Sequence, residues 1–317
     1  MLEKKRKGNH VSKLRTICLL EADFNFNNKK LGRDILRCAE HNNLLPREQY
    51  GSRKCKRAIL HVVNKRLLYD SIHLQRRPAI LCSNDAKSNY DRIAHSIASM
   101  ACQRLGMPTQ PLICMFQTIQ DLQHHIRTAY GTSTSFMTNT LTKPSQGTCQ
   151  GNGASPAIWV AVSAPLLDMM RSANHGIKIL TPITNEKDHI VGFAFVDDTD
   201  IIEGDLNNNT TSYQSVALFM QEGIDRWEGG FKATGGAIRP DKSFIFPIAF
   251  KWDDNGDYTF SSLNDLQPTF TVKDEHNNRK PLPLKEPHKG AETLGVYMCP
   301  DGNNKAQLDY MTSKVTE

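Results

Sequence analysis

A chain of 317 residues, 39% hydrophobic and 23% charged, has the composition of a protein with a sizeable core, and it contains no run of about eighteen apolar residues that would mark a membrane span. Its eight cysteines form no CxxC pair and its eleven histidines no HxxxH or HExxH array, which excludes the usual zinc and disulfide-scaffold patterns and fits a reducing compartment. The net charge of +6 is uneven, because residues 1–80 hold 19 basic and 7 acidic side chains while the remainder is acidic, a split suited to holding a polyanion in one part and doing chemistry in another.

The start, MLEKKRKGNH, is basic but has no apolar core, so it does not read as a signal peptide. LRTICLL at 14–20 predicts a strand, and Leu31, Ile35 and Leu36 predict a helix over 29–41. NNLLPREQYGSRK at 42–54 is a Pro/Gly connection, and 55–76 resumes a helical pattern rich in basic residues. The apolar run 79–82 predicts a strand that delivers Asp85 at its end. From residue 91 onward, Ile93, Ile97, Met100 and Ala101 predict a helix ending near Leu105-Gly106-Met107-Pro108.

A helix is expected near 110–125, then strands or a hairpin through the Thr/Ser-rich stretch to 145. QGNGASP at 150–156 is a loop that opens a long apolar helix, with Ser155 and Pro156 well placed to start it. Residues 177–183 and 190–196 predict a hairpin, leaving Asp197 and Asp198 at its end or in the following turn. Residues 213–228 read as helix, 229–250 as a loop and a strand, 261–290 as a polar, Pro-rich linker or excursion, and ETLGVYM as a short strand.

Two carboxylates side by side, Asp197 and Asp198, repel each other and need compensation if they are even half-buried. Asp85 repeats their context, an apolar strand followed by an acid. If the two strands are neighbours in one sheet, three carboxylates meet at one edge and supply the hard oxygen donors that magnesium takes. Solvated turns would fit the same spacing. Asp200 is expected to be solvated.

Seven blocks in order make the difference. DAKSNYD at 85–91, QGNGASP at 150–156, FVDD at 195–198, TGGAIRPDKSFIF in the region of 235–246 and ETLGV at 292–296 resemble the successive palm blocks of a reverse transcriptase of the non-long-terminal-repeat (LINE-like) retrotransposon type. LRTICLL and LLPREQYGSRK resemble its fingers blocks. The resemblance covers most of the chain. It implies an α+β, right-hand polymerase fold, with a small antiparallel palm sheet packed on helices, partial fingers and a thumb mostly missing. Its boundaries would be 1–80 for the fingers, 81–250 for the palm with 109–145 as an insertion, 251–290 for a polar hairpin and linker, and 291–317 for the last palm strand.

The activity implied is RNA-directed DNA synthesis from a primer 3′-hydroxyl, with two Mg2+ ions that Mn2+ can replace. RNA template, DNA primer and deoxynucleoside triphosphates would be the partners, and no membrane. Asp85, Asp197 and Asp198 would hold the metals. Tyr90 would lie under the sugar of the incoming nucleotide, Gln150 and Gly151 beside it, and Arg15 against its triphosphate. Lys242 would approach the pyrophosphate or cover the palm surface, and both alternatives stay open. Lys54, Lys56, Arg57, Lys65 and Arg66 form a group suited to template phosphates.

Gln146-Gly147 repeats the dipeptide at 150–151 without the Ser-Pro that follows it. Asn89 departs from the small apolar residue usual in the family, and only 21 residues follow ETLGV, fewer than a thumb needs. Two rival readings therefore remain: a nucleic-acid-binding remnant of a mobile element, and an intron-maturase-type polymerase. The compartment is left open as intracellular, with nuclear entry during integration.

Overall fold

The apolar run at 79–82 forms the strand Ala79–Asn84, buried along almost its whole length, as a strand covered on both faces should be. In the computed structural model, which describes residues 2–3, 14–15, 17–181 and 184–316 and only the backbone of 2–3 and 14–15, it lies inside a six-stranded sheet. The order is Phe244–Ile248, Ala79–Asn84, Asp198–Asp205, Ile177–Leu180, Lys187–Ile190, with Gly192–Phe195 also pairing along Asp198–Asp205. Every pairing is antiparallel except that of Ile177–Leu180 with Asp198–Asp205. Helix Tyr213–Ala233 packs on the two central strands, and helix Ala58–Gln75 packs on Gly192–Phe195. The fold class is thus α+β, a small and mainly antiparallel sheet on helices.

Two compact units divide the chain: Met1–Leu45, Ser88–Pro165 and Thr234–Gly236 form one, and Pro46–Lys87, Leu166–Ala233 and Ala237–Glu317 the other. The first is mostly helical, with Ala22–His41, Asn89–Arg92, His95–Arg104 and Thr109–Asp121, followed by the hairpin His124–Thr128/Gly131–Met137. Ile35, Ile93, Leu105, Leu112 and Ile119 are fully buried there. The second holds the sheet, whose core gathers Tyr69, Ile72, Leu81, Ile177, Phe193, Ile202 and Phe246.

Several elements depart from expectation. The strand expected at 14–20 is confined to Leu14–Arg15, and residues 17–20 are irregular because the Cys18 amide donates to Gln150 O (2.7 Å) rather than to a ladder. The helix expected from 91 is interrupted at Ile93 and Ala94, which are extended. Ile93 O there accepts from Gly147 N, and Ala94 N donates to Thr234 O. The hairpin expected between 177–183 and 190–196 pairs Ile177–Leu180 with Lys187–Ile190 instead, and Gly192–Phe195 turns back onto Asp198–Asp205.

Residues 261–290, expected as a linker or excursion, are an ordered excursion. They contain the hairpin Thr271–Lys273/Arg279–Pro281, with Phe270, Val272 and Leu282 buried. ETLGVYM is likewise a hairpin, Ala291–Thr293/Val296–Met298, turning at Leu294 and Gly295, both at positive φ.

Candidate active site

Asp197 and Asp198 sit on a two-residue hairpin turn: Phe195 pairs with Asp198, leaving Val196 and Asp197 between them. Val196 has φ +59°, a conformation that costs a β-branched residue about 1–3 kcal/mol and persists only where the surroundings impose it. The segment 48–51 imposes it. Gln49 Oε1 accepts from both Val196 N and Gly51 N at 3.0 Å. Tyr50 N donates to Ala194 O (2.7 Å), and Ala194 N donates to Glu48 O (2.9 Å). Gly51 lies so close that a Cβ there would stand 2.2 Å from Val196 N.

Asp85 reaches the same place through the sheet. Ala79–Asn84 pairs with Asp198–Asp205 from Ala79↔Gly204 to Asn84↔Thr199, and one further step in that register sets Asp85 beside Asp198. Asp85 N donates to Ser243 Oγ (3.0 Å), and Asp85 O accepts from Arg239 N (2.9 Å). Lys242 Nζ lies 3.6 Å from Asp85 Oδ2. Lys242 thus pairs with Asp85 while its side chain stays half exposed.

The electrostatics agree with this convergence. The Asp198 carboxyl is pushed up to about 6 by burial, then by the charges of Asp197, Asp200 and Asp85, with Lys65 pulling the other way. Its side chain reaches solvent, so the three like charges account for the shift more securely than burial does.

Asp200 corrects the expectation of a solvated residue. It is buried, and Lys65 Nζ donates to its Oδ2 at 2.6 Å. Lys65 is correspondingly unavailable to template phosphates, being buried and also bonded to Thr293 Oγ1 at 3.0 Å. Arg66 of the same group pairs with Asp70 and with Gly302 O. A cleft of about 320 Å³ lies beside this ion pair, with Asp198, Thr199 and Asp200 on the strand side and Glu292, Thr293, Leu294 and Gly295 on the hairpin side. His61, held neutral with its pKa lowered to about 4 by burial, lines it too.

The remaining expected residues belong to the other unit. Tyr90 is half-buried, and its carbonyl accepts from Thr148 N (2.7 Å). Gln150 O accepts from Cys18 N, and Gly151 has φ +116° with no room for a Cβ, which would stand 2.5 Å from Cys18 O. Gly147, in the Gln-Gly dipeptide set aside from the sequence, packs as tightly against Tyr90 and Asp91. Asn89 is buried, and neither of its amide atoms has a partner among the described residues. Arg15 lies on a short strand paired with Leu2–Glu3, and its side chain is outside the described residues.

Carboxylate oxygens brought together from Asp85, Asp197 and Asp198 are the donor chemistry a hard divalent cation satisfies. In that respect Asp85, Asp197 and Asp198 fit magnesium. Among the described residues, however, no group of three His, Cys, Asp or Glu side chains is arranged to hold a metal ion. Sequence reasoning missed Gln49, Gly51, Lys65 and Ser243 as members of this site. Gln49 and Gly51 were visible as part of the Pro-x-x-Gln-aromatic-Gly block, but nothing local in the sequence says that this block grips the turn at 195–197.

The family described as reverse transcriptase (RNA-dependent DNA polymerase) matches residues 3–270. Among solved structures, the chain is similar to telomerase from Candida tropicalis in complex with a TWJ fragment of telomeric RNA, at 12% identity and a TM-score of 0.46 over 70% of this chain and 33% of that one. It is also similar to apo telomerase from Candida tropicalis truncated from its C-terminal domain (11%, 0.40, 80% and 44%). A third is telomerase from Candida albicans with a TWJ fragment of telomeric RNA (12%, 0.35, 70% and 33%). The chain thus spans less than half the length of each of these. No curated protein matches it.

Proposed function

Because the chain belongs to the reverse transcriptase (RNA-dependent DNA polymerase) family, we propose that it extends a DNA primer on an RNA template, as a LINE-like retroelement polymerase does. The observation that carries the reading is the sheet register that brings Asp85 alongside Asp198, at the turn holding Asp197. The primer 3′-oxygen attacks the α-phosphorus of a deoxynucleoside triphosphate, the bond to the bridging oxygen breaks, and pyrophosphate leaves with the released charge. Such a step depends on positioning and charge stabilisation more than on a protein base.

Asp85, Asp197 and Asp198 would hold divalent cations, Mg2+ or Mn2+, which when bound lower the pKa of the attacking hydroxyl and offset charge on the leaving group. Lys242, whose ammonium lies 3.6 Å from Asp85 Oδ2, would meet the departing phosphate oxygens. Gln49 and Gly51 hold the acidic turn in place. Tyr90 would exclude a ribose 2′-hydroxyl, Gln150 and Gly151 would let backbone approach the nucleotide, and Arg15 would contact the triphosphate. In this reading residues 1–80 belong to the fingers and 81–250 and 291–317 to the palm.

The deciding experiment is primer extension on RNA and on DNA templates with Mg2+ or Mn2+, comparing the wild type with Asp197→Asn. The variant should keep its fold, seen as an unchanged circular dichroism spectrum, and lose extension by at least about a thousandfold. Undiminished extension by Asp197→Asn would remove the assignment. A wild type that binds template and primer but extends neither would favour the nucleic-acid-binding remnant.

A further inference from the structure

We propose that Lys65 is a positioning residue of this site, whose ammonium ties the strand bearing Asp198 to the turn at 293–295 and so fixes the width of the cleft between them. The kinetic part of the inference rests on the polymerase reading, and the structural part does not. Lys65 projects from helix Ala58–Gln75 into the molecule, where its side chain is 4% exposed and that of Asp200 is 8% exposed. Its ammonium donates to Asp200 Oδ2 at 2.6 Å and to Thr293 Oγ1 at 3.0 Å. One cation thus joins three elements: the helix, the strand Asp198–Asp205 two residues past Asp198, and the hairpin Ala291–Thr293/Val296–Met298.

Asp200 and Thr293 line opposite walls of the same cleft. Leu294 and Val296 pack against the core, and the bond from Lys65 adds a directional polar tie to that apolar packing. Leu294 and Gly295 are both at positive φ, and a Cβ on Gly295 would meet nothing within 4 Å. A buried ion pair is an inefficient way to stabilise a fold, since apolar side chains of similar volume often do as well or better. What it supplies here is direction: two hydrogen bonds from one nitrogen fix where the turn stands relative to the carboxylates, and an apolar contact would not.

The test uses the full chain, with Thr293→Val and the paired substitution Lys65→Met/Asp200→Leu. Thr293→Val removes only the acceptor on the hairpin, so the melting temperature should stay close to that of the wild type. Amide hydrogen exchange at 294–297 should accelerate roughly tenfold, the effect of losing one charge-assisted hydrogen bond. For primer extension, KM for primer–template should rise by a similar factor with kcat within about twofold, the mark of lost positioning rather than lost chemistry. Lys65→Met alone strands a buried carboxylate and should lower the melting temperature sharply. Adding Asp200→Leu should restore the temperature while leaving exchange fast and KM high.

Wild-type exchange and wild-type KM in Thr293→Val would overturn the proposal. Should the wild type extend no primer, the polymerase reading fails, and hydrogen exchange still decides on the tie. Should the paired variant not fold, Thr293→Val decides alone.

Discussion

Replacing Gly51 by alanine tests how the acidic turn is held. The added Cβ would stand 2.2 Å from Val196 N, 2.5 Å from Val196 Cγ2 and 2.9 Å from the carbonyl carbon of Phe195. Ordinary van der Waals contact begins at 3.4 Å, so the separation between residue 51 and the turn must grow by at least 1.2 Å. Two of the three clashing atoms are backbone, and no rotamer change relieves them. The turn must move, and with it the hydrogen bond from Val196 N to Gln49 Oε1 and the carboxylate of the next residue, Asp197.

Overpacking of this kind costs about 1–3 kcal/mol of stability. A displacement near 1 Å at reacting groups costs roughly a hundredfold in rate. Gly51→Ala should therefore remain folded at 20 °C by circular dichroism, melt earlier, and show single-turnover primer extension about a hundred times slower than the wild type at saturating primer–template. A variant that melts and extends like the wild type would refute the view that this segment clamps the turn. The melting measurement stands even if extension is undetectable.

Two adjacent glycines in helix Tyr213–Ala233 should behave differently in urea unfolding. Gly229→Ala should stabilise by about 1 kcal/mol, because nothing lies within 4 Å of its Cβ and alanine favours the helix. Gly230→Ala should yield less, since Met169 Cε stands 2.8 Å from its Cβ, and equal gains at both positions would contradict the packing described. The raised pKa of Asp198, about 6 in the fold against about 4 when unfolded, means that the folded state binds the extra proton in that interval. The wild type should accordingly lose stability relative to Asp198→Asn as pH rises from about 4 through about 6 in cation-free buffer, with no further divergence above. Parallel stability curves for the two proteins between pH 4 and pH 7 would show that the carboxylate cluster does not raise this group.

The sequence makes some of this legible for a clear reason. Ala79–Asn84 announces itself because a strand buried on both faces is a continuous apolar run, and Asp85 follows from it. Its neighbour Asp198–Asp205, the strand with the most pairing partners in the sheet, escapes notice. DTDIIEGD carries four carboxylates, and Thr199, Asp200 and Glu203 are nonetheless buried. Their compensation comes from far away: Lys65 for Asp200, and for Glu203 the His175 Nδ1 at 2.9 Å together with Gly176 N at 3.0 Å.

A period-2 reading has no access to partners supplied by other segments, so it scores such a strand as a polar turn. Lys65 fails for the mirror reason: within its own helix it looks like one more basic surface residue. The hairpin at 271–281 was hidden because its buried residues, Phe270, Val272 and Leu282, are few and scattered among polar ones.

The strand order has a consequence for how the protein is made. Ala79–Asn84 leaves the ribosome about 120 residues before Asp198–Asp205 and about 165 before Phe244–Ile248, its two sheet neighbours. For several seconds of synthesis, an apolar strand with both edges unpaired has no native place to go. Such a segment is a target for chaperones and a nucleus for aggregation. Yield of soluble chain should then depend on translation speed between residues 85 and 205 more than on the stability of the finished fold.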